Sequence, residues 1–174
     1  DQPTEEQKEE RDRRLAEALK IRTAKVEACI PDWKVDFVDK AGENREVCEK
    51  LMEVLTDKDR IDAKPAVLKS HVEAALQLKA AYPEKIYYSY VLNPRIFNEV
   101  MTDYRGSVEA AFTEDEKTAF RQEPKKIWSW IEANIALCPE AEQESVYFVP
   151  AAALAMRKSS ELSRKILFVA IART

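Results

Sequence analysis

The chain has 174 residues, a formal net charge of -4 and an apolar fraction of 45%, which is typical of a globular protein. These values allow one domain with a sizeable core, exclude a chain that is disordered throughout, and argue against a nucleic-acid-binding protein, which would present a basic surface. Only two glycines are present, so phosphate-binding loops and hairpin-rich β folds are disfavoured, while abundant Ala, Glu, Lys, Leu and Arg favour helix.

A long first helix is predicted for residues 4–29, because Thr4 and Gln7 match a capping box. Its first turns carry no apolar face. From Leu15 onward, apolar residues recur at helical spacing, and we expect this stripe to dock on the chain's own core. The stripe consists of Leu15, Leu19, Val26 and Cys29, with Ile30 beside it.

Pro31 is predicted to end the first helix, and the alternation of apolar and polar residues over 32–38 then predicts a strand or an extended linker. Residues 56–63 are charged and are predicted to form a loop. Asn93 and Pro94 are predicted to end an aromatic segment that begins at Pro83. Further helices are predicted at 43–55, 65–80, 103–112, 113–123, 125–137 and 150–156, with a final helix starting near Ser159 or Ser160.

The cysteines Cys29, Cys48 and Cys138 form no CxxC pair, which disfavours a zinc ribbon or a thioredoxin-type site. We expect them to be small buried apolar residues, with one disulfide and one free thiol also allowed. No apolar run approaches the roughly 20 residues of a membrane helix, so no membrane span is predicted. The chain begins with Asp1, which indicates a processed or trimmed product, for example after removal of a signal peptide.

Few residues of the sequence suggest a catalytic, metal-binding or nucleotide-binding site. His71 is the single histidine and is predicted to lie in mid-helix, at the surface or at the boundary between the apolar and the solvated face. Because no second histidine could share a metal ion, no metal site and no cofactor are expected. Nucleotide binding by a glycine-rich loop is improbable with two distant glycines. Glu99 has apolar neighbours and is predicted to turn inward, where it forms a structural ion pair with Arg105 or caps a loop.

Two stretches carry a resemblance to a known family. The first reads YSYVLNPRIFNE from Tyr88 to Glu99 and is followed by Asp-Tyr-Arg at 103–105 and by a helix that contains Ile127 and Trp130; the second reads RKSSELSRKILFVAIAR over 157–173. Together they resemble the region leading into the core of bacterial transglutaminase-like proteins, which share the papain-like architecture. The resemblance covers 83–174 and is specific in its last stretch.

The resemblance implies a mainly α chain. Residues 83–174 would form the helical half of an α+β transglutaminase-like domain whose sheet is largely absent from this chain. Residues 1–82 would be an N-terminal helical extension, and the two parts would form one compact unit. The final helix would be the central element of this core. We therefore expect the run from Ile166 to Ala172 to be among the most buried segments.

In that family, a cysteine at the N-terminus of this helix is the nucleophile, because a helix N-terminus lowers the pKa of a thiol and can stabilise an oxyanion. Here the position falls at Ser160 or Glu161, and neither is cysteine. The family's catalytic His and Asp lie on strands after this helix, beyond Thr174. No catalytic residue is therefore assigned, and Ser160, Glu161 and Arg164 are expected to line a vestigial site.

The resemblance thus implies a catalytically inactive or incomplete protein that binds a polypeptide or a glycan in a vestigial cleft. Two alternatives remain open. The chain could be one part of an active cysteine-type transglutaminase or peptidase that a second chain or the missing C-terminal half completes, or it could be an unrelated helical protein-interaction module. The start at Asp1 and the resemblance together predict a secreted or cell-envelope protein of a bacterium.

Overall fold

A computed structural model describes residues 3–29, 33–143 and 147–174. The chain is mainly helical, as predicted. The elements up to the middle of the chain are α1 (Glu5–Cys29), α2 (Trp33–Asp39), a 3-10 turn (Gly42–Asn44), α3 (Arg45–Val54), α4 (Asp57–Asp62), α5 (Pro65–Leu76), a second 3-10 turn (Lys79–Ala81), α6 (Glu84–Ile86) and a π-helix (Tyr87–Leu92).

The second half continues with short helices and two very short strands. These are α7 (Arg105–Ala110), α8 (Glu114–Gln122), α9 (Lys125–Asn134), β1 (Ala136–Leu137), α10 (Pro139–Gln143), α11 (Pro150–Met156), β2 (Lys158–Ser159) and α12 (Glu161–Ala172). The two strands pair in parallel, with Ala136 opposite Lys158 and Leu137 opposite Ser159. Within the described residues this pair is the whole of the sheet structure.

Helix α1 forms as predicted but does not dock as predicted. The N–H of Thr4 donates to Gln7 Oε1 at 2.9 Å and the N–H of Gln7 donates to Thr4 Oγ1 at 3.3 Å, so the capping box is confirmed. Leu15 and Leu19, however, are 56% and 51% exposed, so the expectation that they pack on the chain's own core is wrong. Helix α1 contacts α4, but both leucines keep more than half of their surface in solvent. The side chains of Val26, Cys29 and Ile30 fall outside the described residues.

Two local predictions before residue 63 are also wrong. The predicted strand at 32–38 is helical in its described part, α2, because no strand among the described residues pairs with it and because Phe37 and Val38 pack against the first core. Pro31 and Asp32 lie outside the described residues. The predicted loop at 56–63 contains helix α4, which Thr56 and Asp59 begin with a reciprocal capping box.

The first core lies between α2, α3, α5 and the π-helix. Helix α5 has Pro at its first position and presents Leu68, Val72 and Ala75 inward, as its spacing predicts. The π-helix contributes Tyr87 and Leu92 to the same core. This core therefore takes side chains from both sides of the domain boundary expected between residues 82 and 83.

The second core lies between α7, α8, α9, α11 and α12. Pro124 divides α8 from α9, as predicted, because a proline cannot continue the preceding helix. Helix α12 begins after Ser160, also as predicted, and packs against α7, α9 and α11. Ile166, Leu167 and Ala170 are at most 1% exposed, but Ala172 is exposed, because a helix that packs on one side leaves its other face in solvent.

Candidate functional site

The N-terminus of α12 is the site that the resemblance selects, and it is built from buried serines. Ser160 is the N-cap residue, and its Oγ accepts the N–H of Ser163 at 3.1 Å and donates to Ser163 Oγ at 2.7 Å. Ser163 Oγ in turn accepts the N–H of Phe148 at 2.9 Å. Ser160 and Ser163 are 3% and 0% exposed, so both hydroxyls belong to a closed capping network.

Glu161 and Arg164 stand on the next positions of the same turn. The N–H of Glu161 donates to a carboxylate oxygen of Glu142, which lies on α10 and is exposed. Arg164 is 8% exposed, and its Nη2 donates to the carbonyl of Ile135, the C-cap residue of α9. The structure therefore brings the three predicted residues to one helix end, where a carboxylate already binds the first amide.

Two buried polar atoms at this end have no hydrogen-bond partner within the described residues. They are Arg164 Nε and Ser159 Oγ, and Ser159 is completely buried. A buried polar group without a partner is costly, so such atoms are uncommon in folded proteins. Both atoms lie at the first turn of α12 and can donate a hydrogen bond. They stand beside a helix N-terminus, whose positive potential favours an anion.

Cys138 lies next to this site although it is more than twenty residues away in sequence. The pairing of β1 with β2 places its N–H on the carbonyl of Ser159 at 3.0 Å, and its half-buried thiol lies 3.4 Å from Glu140 Oε2. The sequence did not predict this neighbour, because strands of two residues are too short to show an alternation of apolar and polar residues. Cys48 and Cys138 are free thiols, and burial in the first core raises the pKa of Cys48.

The structure corrects the ion pair expected between Glu99 and Arg105, because each side chain has other partners. The Glu99 carboxylate is 4% exposed and accepts the N–H groups of Ile96 at 3.0 Å and Phe97 at 2.8 Å, so it caps its own loop. Arg105 is 2% exposed and donates to the carbonyls of Val91 and Arg173. Backbone N–H groups therefore satisfy the Glu99 carboxylate, and no carboxylate of the described residues pairs with Arg105.

His71 is completely buried, so the prediction of a surface or boundary position is wrong. Its Nδ1 accepts from Arg105 Nε at 3.1 Å and its Nε2 lies 2.9 Å from the carbonyl of Thr102, so the neutral ring carries its proton on Nε2. Burial lowers the pKa of His71 to about 4, with a smaller contribution from the charge of Arg105. Both ring nitrogens are committed to structural contacts.

These contacts belong to a buried polar joint between the two cores. Arg105 links His71 to the end of α12, and Arg173 Nη1 donates to the carbonyls of Asn93 at 2.8 Å and Arg95 at 3.0 Å. Arg95 then donates through Nε to Asp59 Oδ1 at 2.5 Å, and Asp59 is completely buried. The joint runs through α4, α5, the 93–105 segment and α12.

The described part of the chain contains neither a cluster of metal ligands nor a membrane-spanning helix. No group of three His, Cys, Asp or Glu side chains there could hold a metal ion, and no helix there is long and apolar enough to cross a bilayer.

A cavity of about 350 Å³ opens between the two cores at the end of α12. Its walls are mainly apolar and include Val108, Phe112, Phe120, Ile127 and Ile171.

Comparison of the chain with protein-family models, with curated proteins and with solved structures finds no match.

Proposed function

We propose that this chain is a non-catalytic, transglutaminase-like binding module whose α12 N-terminus binds an acidic side chain of a polypeptide. The resemblance over 157–173 points to this helix end as the former reaction centre. With Ser160 engaged in capping and no cysteine in the helix itself, the end of the helix keeps its electrostatic preference for an anion without a nucleophile.

The contact between Glu142 and the N–H of Glu161 supports this proposal most directly. In this contact a carboxylate oxygen lies against the first amide of α12, as the carboxylate of a ligand would. Glu142 is exposed and belongs to a helix of five residues, so its displacement breaks one solvent-accessible contact and costs little. A glutamate or aspartate of a bound polypeptide can then make the same charge-assisted hydrogen bond.

Arg164 adds to the preference for an acidic ligand. Its guanidinium is almost fully buried and pairs with a carbonyl, and no acidic side chain of the described ranges forms a salt bridge with it. A buried cation without a counter-charge raises the local positive potential. A neutral glycan supplies hydroxyl groups but no negative charge, so the electrostatics favour a polypeptide over a glycan.

The test is a calorimetric titration of the chain with two capped pentapeptides, Ala-Ala-Glu-Ala-Ala and its Gln counterpart. We expect the Glu peptide to bind about tenfold more tightly, because a hydrogen bond to a charged group contributes about 1.5–3 kcal/mol. Glu142→Gln should increase the affinity for the Glu peptide severalfold, because this substitution removes the internal competitor for the Glu161 amide.

Glu140→Gln is the matched control. It removes one negative charge from the same short helix, but Glu140 contacts the Cys138 thiol rather than α12, so the affinity should stay unchanged. Equal binding of the two peptides, or equal effects of the two substitutions, would contradict the carboxylate site. Binding of a neutral oligosaccharide such as chitotriose in place of the Glu peptide would support a glycan ligand and overturn the proposal.

A further inference from the structure

We propose that two copies of this chain associate weakly through an antiparallel pair of α1 helices, with Leu15 of each copy packed against Leu19 of the other. This inference is independent of the proposed function, because α1 and the N-terminus of α12 belong to different parts of the chain and share no residue.

The exposed leucines are the first observation. Helix α1 has 25 residues, and Leu15 and Leu19 remain 56% and 51% exposed on it. They are four residues apart and therefore lie on the same face, where they form a short apolar patch. A helix that lies largely in solvent gains stability mainly by packing such a face against another surface, so association with a partner would stabilise α1.

The charged residues on either side of the two leucines indicate which surface could pack against them. Asp12 lies three residues before Leu15 and Arg22 lies three residues after Leu19, so the face reads Asp12, Leu15, Leu19, Arg22 at heptad spacing. Asp12 has an exposed contact with Arg11 at 2.7 Å. Arg22 forms no ion pair with any residue that the structure describes. The face therefore ends in a negative charge on one side and in an unpaired positive charge on the other.

A second copy in antiparallel orientation complements this face. With the two-fold axis at the level of Glu17, Leu15 of each copy meets Leu19 of the other, and Asp12 of each copy meets Arg22 of the other. A parallel pair would instead place Asp12 against Asp12 and Arg22 against Arg22, where like charges repel. The face is self-complementary in one orientation only, as a two-fold symmetric interface requires.

The distribution of the remaining charges along α1 agrees with this orientation. Residues 5–12 contain five acidic and two basic side chains, whereas residues 13–29 contain five basic and two acidic side chains. An antiparallel pair places each acidic half beside the basic half of the other copy. Because the apolar seam contains only two leucines per copy, we expect a dissociation constant on the order of 100 µM, in the range of transient interfaces.

Sedimentation equilibrium of the 174-residue chain from about 10 µM to about 1 mM tests the association by mass action. We expect a monomer–dimer equilibrium that Leu15→Ser abolishes without changing the circular dichroism of the folded chain, because Leu15 is exposed. A chain that stays monomeric over this range, or a dimer that tolerates Leu15→Ser, would overturn the proposal.

Charge exchange tests the orientation. Asp12→Arg and Arg22→Asp should each weaken the association about tenfold, since each places like charges across the pair, and the double substitution should restore it. Lys20→Asp is the control, because Lys20 lies on another side of α1 and the substitution makes the same change in charge as Arg22→Asp. In a parallel pair each position faces its own copy, so single exchanges without effect would refute the antiparallel arrangement.

Discussion

At the scale of single residues, the buried ion pair between Asp59 and Arg95 is the clearest case of a charged contact that the fold depends on. Asp59 is completely buried and Arg95 is 9% exposed. Asp59 also accepts the N–H of Thr56 at 3.1 Å, so one carboxylate caps α4 and holds the segment after Pro94. Removal of the arginine leaves that carboxylate buried without its counter-charge.

Arg95→Met should therefore lower the free energy of unfolding by about 3–5 kcal/mol, the range observed when one partner of a buried pair is removed. Lys58→Ala removes the ion pair with Asp62, in which both side chains are about half exposed, and should change stability by less than about 1 kcal/mol. Urea unfolding measures both. Equal losses in the two variants would contradict a dominant role for the buried pair.

Glu99 illustrates how burial alone is an incomplete guide to a partner. Its inward position was predicted from its apolar neighbours, and it is 4% exposed. The prediction that it pairs with Arg105 required a choice among possible partners, and the N–H groups of Ile96 and Phe97 are closer because they belong to the same turn of the backbone. Local donors satisfy a carboxylate at a smaller entropic cost than a distant side chain does.

At the scale of elements, helix boundaries follow from capping residues. Helix α8 begins with a reciprocal pair in which Thr113 accepts the N–H of Glu116 at 3.2 Å and Glu116 accepts the N–H of Thr113 at 2.8 Å. These contacts lower the pKa of Glu116. The same pattern at Thr56 and Asp59 starts α4. Such caps are short-range, and the cap of Thr113 with Glu116 was recognised in the sequence. The cap of Thr56 was not, because Asp59 stands where the usual pattern has Glu or Gln.

Thr113→Ala should destabilise the chain by about 1 kcal/mol, the typical loss when an N-cap hydroxyl is removed. Thr118→Ala, at an exposed position inside the same helix, should be neutral or slightly stabilising, because alanine has the higher helix propensity. Thermal unfolding of the two variants and the native chain distinguishes them. A Thr113 variant as stable as the Thr118 variant would show that the cap contributes nothing.

At the scale of the whole molecule, the two apolar cores meet at a joint that is polar and buried. Arg105 is 2% exposed, and burial lowers the pKa of its guanidinium. Its donors reach His71, Val91 and Arg173, which belong to three different parts of the chain. Because these contacts are long-range and mutually dependent, a change at any one of them affects how the two cores fit together.

This joint makes stability depend on pH. The pKa of His71 is lowered from 6.5 to about 4 in the folded chain, so the unfolded chain binds a proton more readily between these values. The contribution of neutral His71 is complete above about pH 6.5 and is lost as the pH falls towards 4. His71→Gln removes the titration but keeps an amide donor for the carbonyl of Thr102.

Between pH 7 and pH 5 we therefore expect the native chain to lose about 2 kcal/mol more stability than the His71→Gln variant does, at about 1.4 kcal/mol per pKa unit. Urea unfolding at the two pH values measures the difference directly, and the carboxylates, which titrate in both chains, cancel in the comparison. Parallel losses in the two chains would rule out His71 as the origin of the pH dependence.

The elements that depend on neighbouring residues could be predicted from the amino-acid sequence. Capping and proline geometry involve residues only a few positions apart, so their effects can be predicted from sequence. Features predicted in this way are the helical content, the caps at Thr4 and Thr113, the division at Pro124 and the start of α12 after Ser160. The helical position of Leu15 and Leu19 was readable for the same reason.

What those elements pack against could not be predicted in this way, because it depends on how distant parts of the chain come together. The tertiary structure exposes Leu15 and Leu19, buries His71, gives Glu99 and Arg105 separate partners and brings Cys138 beside Ser159. Each of these outcomes depends on contacts between residues far apart in the chain, and periodicity carries no information about which distant group completes a contact. For the same reason, the sequence did not predict that Glu142 of α10 contacts the N–H of Glu161 at the N-terminus of α12.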